Sequence, residues 1–92
     1  MMNNQERITL FKVALEKQLN PTQLEIEDES HLHAGHAGAA GGAGHFRITL
    51  TAASFNGLSR VARHRLVYDA LKDYIPQEIH ALAIQALAPN EG

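Results

Sequence analysis

The chain has 92 residues, enough for one domain. A domain of this size buries roughly 60–65% of the surface its unfolded form exposes. Apolar residues make up 45% and charged residues 20%, and the net charge of −2 excludes a global field that would drive nucleic-acid or membrane binding. There is no cysteine, which excludes both a disulfide framework and a thiol nucleophile.

In NQERITLFKVALEKQL (4–19), Ile8, Phe11, Leu15 and Leu19 recur in steps of three and four, the spacing of one helix face. Asn4 is placed to cap its start and Glu6 sits in the first turn; Asn20 and Pro21 end it. In LEIED (24–28), Leu24 and Ile26 alternate with Glu25 and Glu27, the period of a strand with one wet face. FRITLT (46–51) alternates in the same way through Phe46, Ile48 and Leu50. Two such strands with 29–45 as a flexible His/Gly/Ala connection predict an antiparallel pair. The Asn-Gly pair within AASFNGL (52–58) marks a turn. Ser59 then caps a helix predicted over 59–75, with Val67, Ala70, Leu71 and Tyr74 on one face and Arg60, Arg63 and His64 on another; Pro76 stops it. IHALAIQAL (79–87) is a short apolar run between turn signals and is read as a buried strand, in which His80 shares the parity of the core-facing Leu82 and Ile84. Residues 88–92 are expected to be a loose tail.

Helix, strand, strand, helix, strand is an α+β order. A three-stranded sheet with both helices on one face buries every apolar stripe, and the last strand can pair in either direction. No apolar run approaches the roughly 20 residues of a membrane span. The start, MMNNQERITL, lacks the basic region and apolar stretch of a secretory signal, so a cytoplasmic protein with no membrane partner is expected.

The histidine-rich stretch HLHAGHAGAAGGAGH (31–45) supports two readings. It is either a solvent-exposed connection or an imidazole site for a transition metal, built from His31, His33, His36 and His45. The strand that follows and the lack of lysine argue against a phosphate cradle. The spacing is not that of a zinc finger. Enzymatic catalysis lacks support: Ser30, Ser54 and Ser59 sit in no nucleophile elbow, and Glu25, Glu27, Asp28 and Glu29 crowd one strand and its exit. The basic cluster Arg60, Arg63, His64 and Arg65 is either a solvated face or a contact surface for nucleic acid or a protein partner.

Together, EDESHLH (27–33), HF (45–46), SFNGLSRVARHRLVYDAL (54–71) and IHALAI (79–84) resemble the BolA family. That family's pattern is an acidic D-E-S strand exit, a variable loop ending in H-F, F-x-G followed by R-H-R-x-V-Y, and I/V-H-A-L. The resemblance runs from about residue 6 to residue 88 and implies one α-β-β-α-β domain of the type II KH-like kind across 1–92. It also implies a complex with a monothiol (CGFS) glutaredoxin that shares a [2Fe–2S] cluster, with glutathione giving a thiolate, in iron–sulfur cluster trafficking or iron regulation. The isolated protein would then hold no cofactor and be a monomer. The implied ligands are His80, from I-H-A-L, and His33, from the loop after D-E-S; His31, His36 and His45 are additional candidates. Imidazole must be deprotonated to ligate, so such a site should weaken as pH falls through about 6. Bacterial members of the family are also described as DNA-binding transcriptional regulators acting in stress response. That gives the alternative of DNA held by Arg60, Arg63, His64 and Arg65. A metal-free interaction module is the third reading.

Overall fold

The computed structural model describes residues 3–30 and 43–91. Helix α1 spans Asn4–Leu19, strand β1 Gln23–Asp28, strand β2 Gly44–Thr51, helix α2 Arg60–Ala70 and strand β3 Ile79–Leu87. Single 3₁₀ turns at Ala53–Phe55 and Lys72–Tyr74 flank α2. The sheet order is β1-β2-β3. β1 runs antiparallel to β2, with Leu24 opposite Leu50 and Ile26 opposite Ile48. β3 runs parallel to β2, a pairing that needs a crossover, and α2 is that crossover.

Both helices pack on one face of the sheet. Phe11, Leu15 and Leu19 of α1 and Val67 and Leu71 of α2 join Phe46, Ile48 and Leu50 of the central strand in one core, closed by Ala52, Phe55, Ile79 and Ala88. Phe11 meets the edge of the Phe46 ring at a centroid distance of 5.1 Å and lies 5.4 Å from Tyr74. Aromatic contacts of this kind add to the stabilisation from buried area. The opposite face carries exposed Glu25, Glu27, Arg47 and Gln85.

Local chemistry explains the element ends. Asn3, not Asn4, caps α1: its side chain accepts the Glu6 N–H at 2.8 Å. At the other end Asn20 adopts φ 48°, and its N–H reaches the Glu16 carbonyl. Asparagine tolerates that left-handed position better than most residues. Gly57 of the F-N-G turn has φ 74°, where a β-carbon is strained. Ser59 caps α2 as expected, accepting the Ala62 N–H at 3.2 Å. The α-helix ends at Ala70 rather than at 75, the 3₁₀ turn of Lys72–Tyr74 taking over before Pro76.

Two expectations change. The tail is not loose between 88 and 91. Ala88 is buried, its N–H donates to Glu91 Oε1 at 2.9 Å, and the Glu91 carboxylate takes both Nη atoms of Arg63. His80 does not share the inward parity of Leu82 and Ile84. Gly44 pairs with Ile79 but His45 pairs with Ala81, so β3 carries one extra residue at this point. The bulge buries Ile79 and leaves His80 exposed.

Candidate histidine site at the end of the sheet

The β3 bulge brings His80 beside His45, the second residue of β2. Their ring centroids are 5.0 Å apart and the rings are tilted by 55°. His45 lies on the sheet face opposite the helices yet is buried, whereas His80 is exposed. A cleft of about 280 Å³, lined by residues including Glu29, His45, Arg47, Ala81 and Ala83, opens beside the pair. Arg47 crosses the cleft rim to Glu29, with Nε 3.0 Å from the carboxylate.

A polar network fixes this end of the sheet. The Ser30 hydroxyl accepts the His45 N–H at 3.0 Å, and the Glu29 N–H donates to the His45 carbonyl at 2.8 Å. Asp28 turns the chain by accepting the Ser30 N–H at 2.9 Å. Asn4 then ties α1 to this exit: its amide donates to Asp28 at 2.9 Å and to Ser30 at 3.2 Å. The D-E-S motif is therefore a clamp on the backbone of His45.

The His80 side is held by Arg7. This guanidinium is buried, donating to Glu78 Oε1 at 2.8 Å and to Asn4 Oδ1 at 2.8 Å. The Glu78 carbonyl in turn accepts the Gly44 N–H at 3.1 Å. A β-carbon on Gly44 would stand 2.5 Å from Cε2 of Phe46, so the residue before His45 has no room for a side chain. Arg7, Glu78 and Asn4 thus join both histidines to the first turn of α1. The periodicity reading missed Arg7, although it stands four residues before Phe11 on the line that continues through Leu15 and Leu19.

His31, His33 and His36 lie outside the described residues. Among the described residues, no group of three or more His, Cys, Asp or Glu side chains is arranged to hold a metal by itself. The described residues thus set two imidazoles side by side, and the chain has no cysteine.

The basic cluster divides. Arg60 and Arg65 are exposed on α2 and His64 is half-buried. Arg63 is committed to the fold: Nε donates to the Leu58 carbonyl at 3.0 Å, Nη1 to the Ala86 carbonyl at 3.1 Å, and Nη2 to Glu91 at 2.8 Å. This pairing holds the Glu91 carboxyl well below the usual carboxylate range, at about 2.

The family model described as BolA-like protein matches residues 15–91. The chain is 48% identical over 82 residues to SufE-like protein 1 of Arabidopsis thaliana, covering 84% of this chain but 22% of that protein. The solved BolA domain of SufE1 superposes with a TM-score of 0.82 at 42% identity, covering 94% of this chain and 95% of that one. The structure of BolA1 from the same plant gives a TM-score of 0.80 at 34% identity, covering 100% and 99%. The chain spans 56% of the curated length of that second plant protein. The Haemophilus influenzae protein named DNA-binding transcriptional regulator BolA is 35% identical over 82 residues, 89% of this chain and 77% of that protein.

Proposed function

Because the chain belongs to the BolA-like protein family, we propose that it is a binding protein, not an enzyme, that joins a monothiol (CGFS) glutaredoxin and shares a [2Fe–2S] cluster with it. The single observation that carries this reading is the His45–His80 pair, one imidazole buried and one exposed, on a braced end of the sheet. A [2Fe–2S] cluster takes four protein or thiol ligands, and imidazole can replace thiolate on one iron. With no cysteine in the chain, the thiolates come from the glutaredoxin and glutathione, and the imidazoles from this protein. When bound, the cluster supplies the transferable iron–sulfur unit; this chain's residues present the imidazoles and the docking surface. His80, exposed at the bulge, is assigned as the principal ligand, with His33 and His45 to be tested against each other for the second position.

The work falls to iron–sulfur trafficking or iron regulation in this reading. We place it in the cytoplasm, whereas the two plant relatives are named for chloroplasts or mitochondria. No helix among the described residues is long and apolar enough to cross a membrane.

The test is anaerobic reconstitution with a monothiol glutaredoxin, glutathione, iron and sulfide, followed by visible absorption and circular dichroism. A spectrum distinct from the glutaredoxin homodimer and lost in His80→Ala supports the assignment. A spectrum that His80→Ala leaves unchanged refutes it. Complex formation without a change in the cluster spectrum assigns the protein to metal-free adaptors instead.

A second reading rests on exposed Arg60 and Arg65 together with the name of the H. influenzae relative. DNA held there is bound weakly, and because few cations contribute its affinity falls only shallowly with salt. Arg60→Ala with Arg65→Ala abolishes that binding and spares the cluster complex.

A further inference from the structure

The two edges of the sheet are defended differently. β1 exposes Glu25 and Glu27 and ends in Asp28, charges that discourage pairing with another strand. β3 is nine residues long and reads IHALAIQAL, with neither a formally charged residue nor a proline. Among the described residues, no strand pairs with its outer edge.

The direction of its backbone groups can be followed along the strand. The Leu87 carbonyl accepts from Ala52 and so faces β2. The Ala86 carbonyl accepts from Arg63 and so faces away. Strand geometry alternates these groups, so the N–H and C=O of Leu82 and Ile84 also face the outer edge. That edge forms one wall of a groove of about 590 Å³, whose other wall is the start of α2. The groove residues that matter here are Arg60, Arg63 and His64 from α2, Ile84 and Ala86 from β3, and Glu91.

We propose that this groove takes an extended acidic segment of a partner protein, which adds to the sheet along the edge of β3 and sets a carboxylate against Arg60. Charge selects this occupant. Arg63 and Glu91 neutralise one another, while Arg60 makes no ion pair among the described residues. The groove therefore keeps an uncompensated positive charge beside the outward N–H and C=O of Ile84, the Ala86 carbonyl being already taken by Arg63. Glu91 already shows the fit: its carboxylate is gripped by an α2 arginine in this groove. Main-chain pairing gives affinity in strand addition, and the flanking side chains give selectivity. A second copy pairing β3 with β3 suits the groove less well, because β3 itself has no carboxylate for Arg60. This surface is separate from the His45–His80 pair, so the proposal stands or falls independently of cluster binding.

The experiment is an NMR titration of the ¹⁵N-labelled full chain with a capped hexapeptide of alternating valine and glutamate. Expected are shifts at the Leu82, Ile84 and Ala86 amides, with slowed hydrogen exchange at Leu82 and Ile84. A lysine-for-glutamate peptide and a peptide N-methylated on its pairing side should both lose these effects. Arg60→Glu, an exposed change at the first turn of α2, should weaken binding about three- to tenfold without unfolding the protein. The proposal is overturned if those amides do not respond, or if either control peptide binds as well. It is also overturned if protection at Leu82 and Ile84 rises with protein concentration alone, which assigns the edge to a second copy. An oligothymidylate that moves the same amides at lower concentration than the peptide assigns the groove to nucleic acid and overturns it too.

Discussion

Replacing Arg7 by methionine keeps most of the buried stem and removes the charge. Two hydrogen bonds go with it, both 2.8 Å long, to Glu78 and to Asn4. A net hydrogen bond to a charged group is worth about 1.5–3 kcal/mol, and breaking a fully buried pair costs about 3–5 kcal/mol. The Arg7 side chain is 6% exposed but that of Glu78 is 23% exposed, so the abandoned carboxylate regains part of its hydration. Arg7→Met should therefore cost about 2–3 kcal/mol. Glu78→Gln should cost about 1–2 kcal/mol, because the amide oxygen still accepts from Arg7. Urea unfolding of both single variants and the double variant isolates the pair term, expected at about 1–2 kcal/mol. For a domain of this size, Arg7→Met lowers Tm by about 10–20 °C. A loss below about 0.5 kcal/mol, or additive single variants, would show that the ion pair does not brace this end of the sheet.

Gly44→Ala should lose about 1–3 kcal/mol, since the new methyl meets the Phe46 ring, which Phe11 holds in place; thermal melting reads it. Ser30→Ala removes the acceptor of the His45 N–H and a partner of Asn4, costing about 1–2 kcal/mol and speeding hydrogen exchange at the His45 amide by more than the rise that the loss of global stability produces at Val67. The Arg63–Glu91 link should be intact above the ordinary glutamate pKa of 4.5 and disappear as pH falls toward about 2, because folding depresses the Glu91 pKa. The Ala88 amide, bonded to Glu91, should report this by exchange and chemical shift, and Glu91→Gln should remove the transition.

Most of the fold is legible in the sequence because its elements are punctuated by residues with one strong local preference. Asn20 with Pro21, Asn56 with Gly57, and Ser59 each mark a boundary that the structure keeps. The alternation in 24–28 and 46–51 places Leu24, Ile26, Phe46, Ile48 and Leu50 toward the core, where they lie. What periodicity cannot register is an inserted residue. The step from Ile79 to Ala81 changes the phase of β3, so the inward expectation for His80 fails although the strand limits are right. Long-range polar contacts are equally hidden. Nothing near Arg7 in sequence announces Glu78, 71 positions away, and nothing in APNEG announces Arg63. The basic cluster looked uniform as text, yet folding commits Arg63 inward and leaves Arg60 and Arg65 outward. The nearness of His45 to His80 follows from a parallel pairing that the sequence left open.

The clamp made by Glu29, Ser30 and Asn4 at the start of β2 bears on how the protein can be re-engineered. The two chain ends that bracket 31–42 are joined by the folded domain's own hydrogen bonds. Because these bonds are made by groups outside 31–42, a fluorescent or affinity cassette inserted there should leave Glu29 and Ser30 in register with His45, with its emission or capture coupled to events at the neighbouring imidazoles.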